Sequence, residues 1–187
     1  MFMGGVGISP ANSNLKTAVL FVLKGLLTNR TDQASMEIER QPLTKLVRVL
    51  CSEEQEGFRE VFTHFVHQAA DDGISVALLV PPTICEIDLL ELAAGQRWDL
   101  AILFLNNIKY PSNDRTPEGI VGDAANLIRT MKRLFNKPIV CFYGATATVE
   151  LLNELIEAGP NSLFLSPTKP SEVVPVLRSL LDEVPGL

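Results

Sequence analysis

Residues 137–177 read KPIVCFYGATATVELLNELIEAGPNSLFLSPTKPSEVVPVL, and the hydrophobic period changes three times along them. KPIVCFY (137–143) is a short, nearly continuous apolar run, as a strand buried on both faces requires. TATVELLNELIEAG (146–159) then spaces its leucines for a helix. Thr146 or Thr148 can cap that helix, Glu150 lies in its first turn, and Gly159 can take positive φ where it stops. SLFLS (162–166) is a second strand and KPSEVVPVLRSLLDEV (169–184) a second helix, in which Pro175 either kinks the helix or marks a short first turn. Strand, helix, strand, helix at this spacing predicts parallel pairing through helical crossovers.

The same alternation extends upstream. KLVRVLC (45–51), ISVALLV (74–80) and WDLAILFL (98–105) read as strands. EGFREVFTHFVHQAADDG (56–73), PTICEIDLLELAAG (82–95) and IVGDAANLIRTMKRLF (120–135) read as helices. Gly73 and Gly95 stand where two of these helices should end, with positive φ expected at both. Five strands alternating with five helices predict an α/β domain over 45–187, with a doubly wound, five-stranded parallel sheet of flavodoxin-like kind.

Residues 1–44 form an N-terminal extension. MFMGGVGISPANSN (1–14) is rich in Gly, Ser and Asn and is expected to be poorly ordered. GGVGIS lacks the Lys-Ser/Thr ending of a phosphate loop, and no strand precedes it. Asn14 can cap a helix over about 15–28, with Leu15, Val19, Val22, Leu23 and Leu26 at helical spacing. Its apolar face must pack on the domain or on a second copy. AVLFVL (18–23) is far short of the ~20 apolar residues that span a bilayer, so no membrane anchor is expected.

The 187 residues carry a formal charge of −6, with 47% hydrophobic and 20% charged residues. An acidic chain without a basic run is a poor ligand for a phosphate backbone, which argues against nucleic acid as partner. Cys51, Cys85 and Cys141 are far apart and show no zinc or disulfide spacing, which suits a reducing cytoplasm. Cys51 and Cys141 are expected as buried small apolar residues.

In an open parallel sheet, ligands sit beyond the carboxyl ends of the strands. Standing there are Ser52, Glu53, Glu54 and Gln55; then Leu105, Asn106 and Asn107; then Tyr143, Gly144, Ala145 and Thr146; then Ser166, Pro167 and Thr168. VRVLCSEEQ, WDLAILFL and the block from Lys137 to Leu177 together resemble the CheY-like receiver domains of two-component response regulators. The resemblance spans residues 45–184, about three quarters of the chain. It implies an acidic pair after the first strand, a phosphoacceptor aspartate ending the third, a hydroxyl residue ending the fourth and a lysine before proline after the fifth.

The scaffold matches this pattern better than the reactive residues do. The acidic pair falls on Glu53 and Glu54, each longer by a methylene. Counting from Asp99, the phosphoacceptor falls on Phe104, the hydroxyl residue on Tyr143 and the lysine on Ser166. Phosphotransfer in the family needs a carboxylate nucleophile and a Mg²⁺ ion held by hard oxygens, and a phenyl ring supplies neither. A register shifted by two puts Asn106 at the acceptor position, and an amide fails there too. The resemblance therefore implies a degenerate receiver. In that family the fourth helix, fifth strand and fifth helix commonly carry dimerisation or output, which points to Glu150, Asn153, Glu154, Glu157, Lys169 and Arg178.

Plainer readings stand beside these. Glu53 and Glu54, the weak metal candidates, also simply favour a helix N-terminus, and that reading is preferred. His64 and His67 lie three apart on one helix, with no third ligand in view. The loop 106–119 is long, and its Lys109, Tyr110, Asp114, Arg115 and Glu118 serve a ligand or plain solubility. The preferred function is a phosphorylation-independent regulatory module that binds a protein partner or self-associates, for example as a homodimer. No catalytic residue, cofactor or metal is assigned. The alternative is a small-molecule-binding or enzymatic flavodoxin-like domain using the strand ends. Against it, SEEQEG is a poor flavin phosphate loop, no cobalamin histidine is present, and no nucleophile–base pair is visible.

Overall fold

The computed structural model describes residues 45–52, 56–144 and 147–182. The expected extension helix, Glu53, Glu54 and the Thr146 cap lie outside the described residues. The elements are β1 (Lys45–Cys51), α1 (Glu56–Asp71), β2 (Ile74–Leu79), α2 (Glu86–Gly95) and β3 (Leu100–Phe104). They continue with α3 (Pro117–Phe135), β4 (Ile139–Tyr143), α4 (Val149–Glu157), β5 (Ser162–Leu165) and α5 (Pro170–Asp182). The five strands form one parallel sheet in the order β2-β1-β3-β4-β5.

Strand parity divides the core in two. Ala101, Leu103, Ile139 and Cys141 point to a cluster with Leu89, Leu127 and Leu155 of α2, α3 and α4. Leu100, Ile102, Val140 and Phe142 point to the other face, against Phe65 of α1 and Leu177 of α5. Both faces of the sheet are covered, which is why its strands carry unbroken apolar runs. Cys51 and Cys141 are both buried.

The charge that opens β3 has a structural task. Asp99 is buried, and its carboxylate accepts the Arg48 N–H at 2.9 Å while its own N–H donates to Arg48 O at 2.8 Å. This two-way clasp sets the alignment of β3 against β1. Trp98 beside it donates its indole N–H to Ala93 O at 3.0 Å and takes the edge of Phe135. The Lys137 ammonium stands 4.9 Å from the indole centroid and also donates to Trp98 O.

Several boundaries differ from expectation. Gly73 and Gly159 take φ of 74° and 84°. Gly95 does not: α2 passes instead into an extended Gln96, whose N–H closes on Leu92 O. The helix α2 starts at Glu86 rather than near residue 82, with the Cys85 sulfur accepting the Asp88 N–H. The helix α3 starts at Pro117, capped by Thr116, whose hydroxyl accepts the Gly119 N–H at 3.1 Å. Thr148 caps α4. Pro175 sits within α5, which continues to Asp182, and its ring lies on the exposed side, opposite the buried Leu177 and Leu181.

Candidate functional site

Three phenylalanines stand abreast at the carboxyl edge of the sheet. Phe104 of β3 pairs in register with Phe142 of β4, and Phe142 with Phe164 of β5. Because the three share parity, their rings line one face. Phe104 and Phe142 stack at 4.8 Å and 13°, and Phe142 and Phe164 at 5.3 Å and 24°. Phe58 from the first turn of α1 meets Phe104 edge-on at 4.9 Å. The Phe104 backbone is held as well: its N–H donates to the Ser52 hydroxyl at 2.8 Å, and the Ser52 N–H donates to Ile102 O.

The rings of Phe58, Phe104 and Phe142 floor a cleft of about 440 Å³. Asn106, Asn107, Gly144, Ser166 and Thr168 form its polar rim. The Asn106 side-chain oxygen accepts the Gly144 N–H at 2.6 Å, tying the exits of β3 and β4 together. Ser166 is joined to Pro167 by a cis peptide and donates its N–H to Tyr143 O. Among the described residues the lining is uncharged. Such a surface favours apolar or neutral polar groups, since burying an uncompensated charge is costly.

Phe104, Asn106 and Ser166 thus meet at one cleft. Tyr143 does not join them. Its odd parity turns it into the α2–α3–α4 side of the core, where its hydroxyl is buried without a hydrogen-bond partner among the described residues. Burial, reinforced by the negative Glu118, raises its pKa. Burial likewise pushes up Tyr110, whose hydroxyl donates to Leu105 O at 3.0 Å. That bond and the Cys85–Lys109 bridge clamp the long loop onto the domain. The carboxylate of Asp114 binds the Thr116 N–H and hydroxyl, which holds its pKa low. His64 and His67 are exposed, and no cluster of three or more metal-ligating side chains forms among the described residues.

The residues proposed for an interaction face separate into two groups. Glu150, Asn153 and Glu157 are exposed on α4, Glu154 is half-buried there, and Lys169 is exposed beyond β5. Hydrogen bonds from its own N–H and from Thr148 lower the Glu150 pKa. Arg178 instead pairs with Asp72 after α1, on the other side of α5. Charge alone draws attention away from the apolar part of this face. Val149 and Ile156 of α4 and Leu165 of β5 are 68%, 58% and 49% exposed. Leu152, Ile156, Pro160, Leu163 and Leu165 line a second groove of about 340 Å³. The i, i+3, i+7 spacing of Val149, Leu152 and Ile156 is the sequence signal for it.

No protein-family model and no curated protein matches the chain. Solved structures do. A CheY-like receiver domain protein from Methanospirillum hungatei aligns over 74% of this chain and 95% of its own, with 16% identity and a TM-score of 0.50. A response regulator from Thermotoga maritima aligns over 74% of this chain and 98% of its own, with 16% identity and a TM-score of 0.48. The receiver domain of Klebsiella pneumoniae RstA aligns over 73% and 97%, with 19% identity and a TM-score of 0.47. Identities this low speak to architecture alone, and the Methanospirillum domain carries that comparison together with the observed strand order: the chain has the fold of the CheY-like response-regulator receiver domains.

Proposed function

We propose that the chain is a regulatory protein–protein interaction module of receiver fold that works without phosphorylation, in the cytoplasm. The observation that carries this reading is Phe104. A ring stacked on Phe142 and met edge-on by Phe58 stands where the family's aspartate belongs. It offers no nucleophile and no oxygen ligand for a cation. Ser166, at the lysine's position, has no ammonium to meet a phosphoryl group. The apolar strip of Val149, Ile156 and Leu165 beside the edge strand β5 supports binding of a protein partner or a second copy.

Two measurements test the reading. Acetyl phosphate with Mg²⁺ should leave the intact mass of the protein unchanged. Ile156→Arg should weaken self-association, or capture of a partner, at least about tenfold, since it sets a charge into an apolar contact. A stable +80 Da species, or association indifferent to Ile156→Arg, would remove one half of the proposal each.

The Phe-floored cleft favours a second reading, the binding of a small uncharged ring compound. Saturable amide shifts at Phe104 and Asn106 on titration with indole would support it.

A further inference from the structure

The polar groups on the rim of the Phe-floored cleft are already committed in part, and what they have left is selective. Asn106 is half-buried, and its side-chain oxygen is taken by the Gly144 N–H at 2.6 Å. That bond fixes which arm of the amide is oxygen. It leaves the NH2 as a donor with no partner among the described residues. The Thr168 hydroxyl gives its proton to Leu165 O at 2.8 Å, so toward a ligand its oxygen can only accept. The Ser166 hydroxyl is exposed and makes no hydrogen bond among the described residues, so it is free to accept or donate.

These groups also stand close together. A Cβ placed on Gly144 would lie 3.7 Å from both Asn106 Oδ1 and Ser166 Cβ, so the two side chains flank one glycine at the exit of β4. A fixed donor beside a ready acceptor complements a group that presents a carbonyl and an N–H together, which is an amide. The floor of Phe58, Phe104 and Phe142 selects a ring to carry it. With no charged lining residue among those described, a carboxylate or ammonium on that ring would go uncompensated. Room is sufficient. A cavity of about 150 Å³ accepts benzene, and this cleft holds about 440 Å³.

We infer that the cleft binds a flat, uncharged ring bearing an amide, either a carboxamide on an aromatic ring or a lactam within it. The ring lies on the phenylalanines, its carbonyl accepts from the Asn106 NH2, and its N–H donates to Ser166 or Thr168. The inference rests on the reading of this cleft as a site for an uncharged ring compound, and it names the polar group that the ring must carry.

The test compares one-ring probes on the full chain, followed by amide shifts at Phe104, Asn106, Gly144 and Ser166. Benzamide should bind tightest. Acetophenone keeps the carbonyl without the N–H, and toluene has neither; each lost hydrogen bond should raise Kd about two- to tenfold. Benzoate and benzamidinium match benzamide in shape but carry a charge, and should bind at least about tenfold more weakly. Asn106→Asp keeps an oxygen for the Gly144 N–H and exchanges the donor for a charged acceptor. It should reverse the order, with benzamidinium at least about tenfold tighter than benzamide. Ser166→Ala with Thr168→Val should bring benzamide down to the level of acetophenone and leave acetophenone unchanged. If indole binds but benzamide binds no tighter than toluene, or if Asn106→Asp still prefers benzamide to benzamidinium, the amide assignment is wrong and the cleft remains a site for uncharged rings. If no probe gives saturable shifts, indole included, both readings fall.

Discussion

Phe104 and Phe142 lie in register on adjacent strands with their rings 4.8 Å apart and 13° from parallel. Two aromatic partners, Phe142 beside it and Phe58 above, make the end of β3 a packed wall. A stacked pair of this kind contributes about 0.5–1.5 kcal/mol beyond the area it buries. Phe104→Ala is therefore expected to cost about 2–4 kcal/mol, somewhat less than a fully buried phenylalanine because one side of the ring borders the cleft. The urea midpoint measures this, and a loss under about 0.5 kcal/mol would mean the ring is not part of the core.

Asp99 marks the other end of β3. Its carboxylate accepts the Arg48 N–H, so Asp99→Ala leaves a half-buried donor without its partner and should cost about 1–3 kcal/mol. Asp99→Asn keeps an acceptor oxygen and should cost less than half as much. Equal losses in the two variants would show that the clasp is not the source of the effect.

The sequence made the scaffold legible through period and punctuation. Unbroken runs such as IVCFY, bounded by Pro138 and Gly144, left little choice but buried parallel strands. The five-residue offset from Asp99 to Phe104 located the candidate site. Parity decided the rest, and the motif register was read by position without it. Tyr143 is one residue from Phe142 and so faces the opposite side of the sheet, away from the cleft. Arg178 pairs with Asp72 rather than facing α4, a contact across 106 residues that sequence spacing cannot reveal. The exposed stripe of Val149, Leu152 and Ile156 was readable at helical spacing but lay among more conspicuous acids. Gly95 shows that a glycine at a helix end need not adopt positive φ, since Gln96 closes that helix from an extended conformation.

Tyr143 gives a test in the opposite direction to most core substitutions. Its buried hydroxyl has no partner among the described residues, so Tyr143→Phe removes a desolvated polar atom without breaking a known bond. The change is expected to be neutral or to stabilise by up to about 1 kcal/mol. Destabilisation by more than about 1 kcal/mol in thermal or urea unfolding would show that the hydroxyl is bonded.

Alkaline pH should erode stability through the buried acids of the core. Burial raises Cys141, Tyr110 and Tyr143 above their ordinary values, so the folded state holds their protons more tightly than the unfolded chain. Their contribution is complete below the unfolded values, about 8.5 for cysteine and about 10 for tyrosine, and is lost as pH rises through the raised folded values. Unfolding midpoints should therefore fall from about pH 8.5 upward, and Cys141→Val should make the early part of that fall shallower. A slope unchanged by Cys141→Val would contradict the assignment.

The central proposal is that the cleft at the carboxyl edge of the sheet takes no phosphoryl group, and the most direct measurement is an amide-shift titration with Mg²⁺ and beryllofluoride, the phosphoryl mimic. With the Phe104 ring closing the end of β3, the predicted result is no saturable shift at Ser52, Phe104, Asn106 or Ser166. Saturable, Mg²⁺-dependent shifts clustered at those four residues would contradict the account.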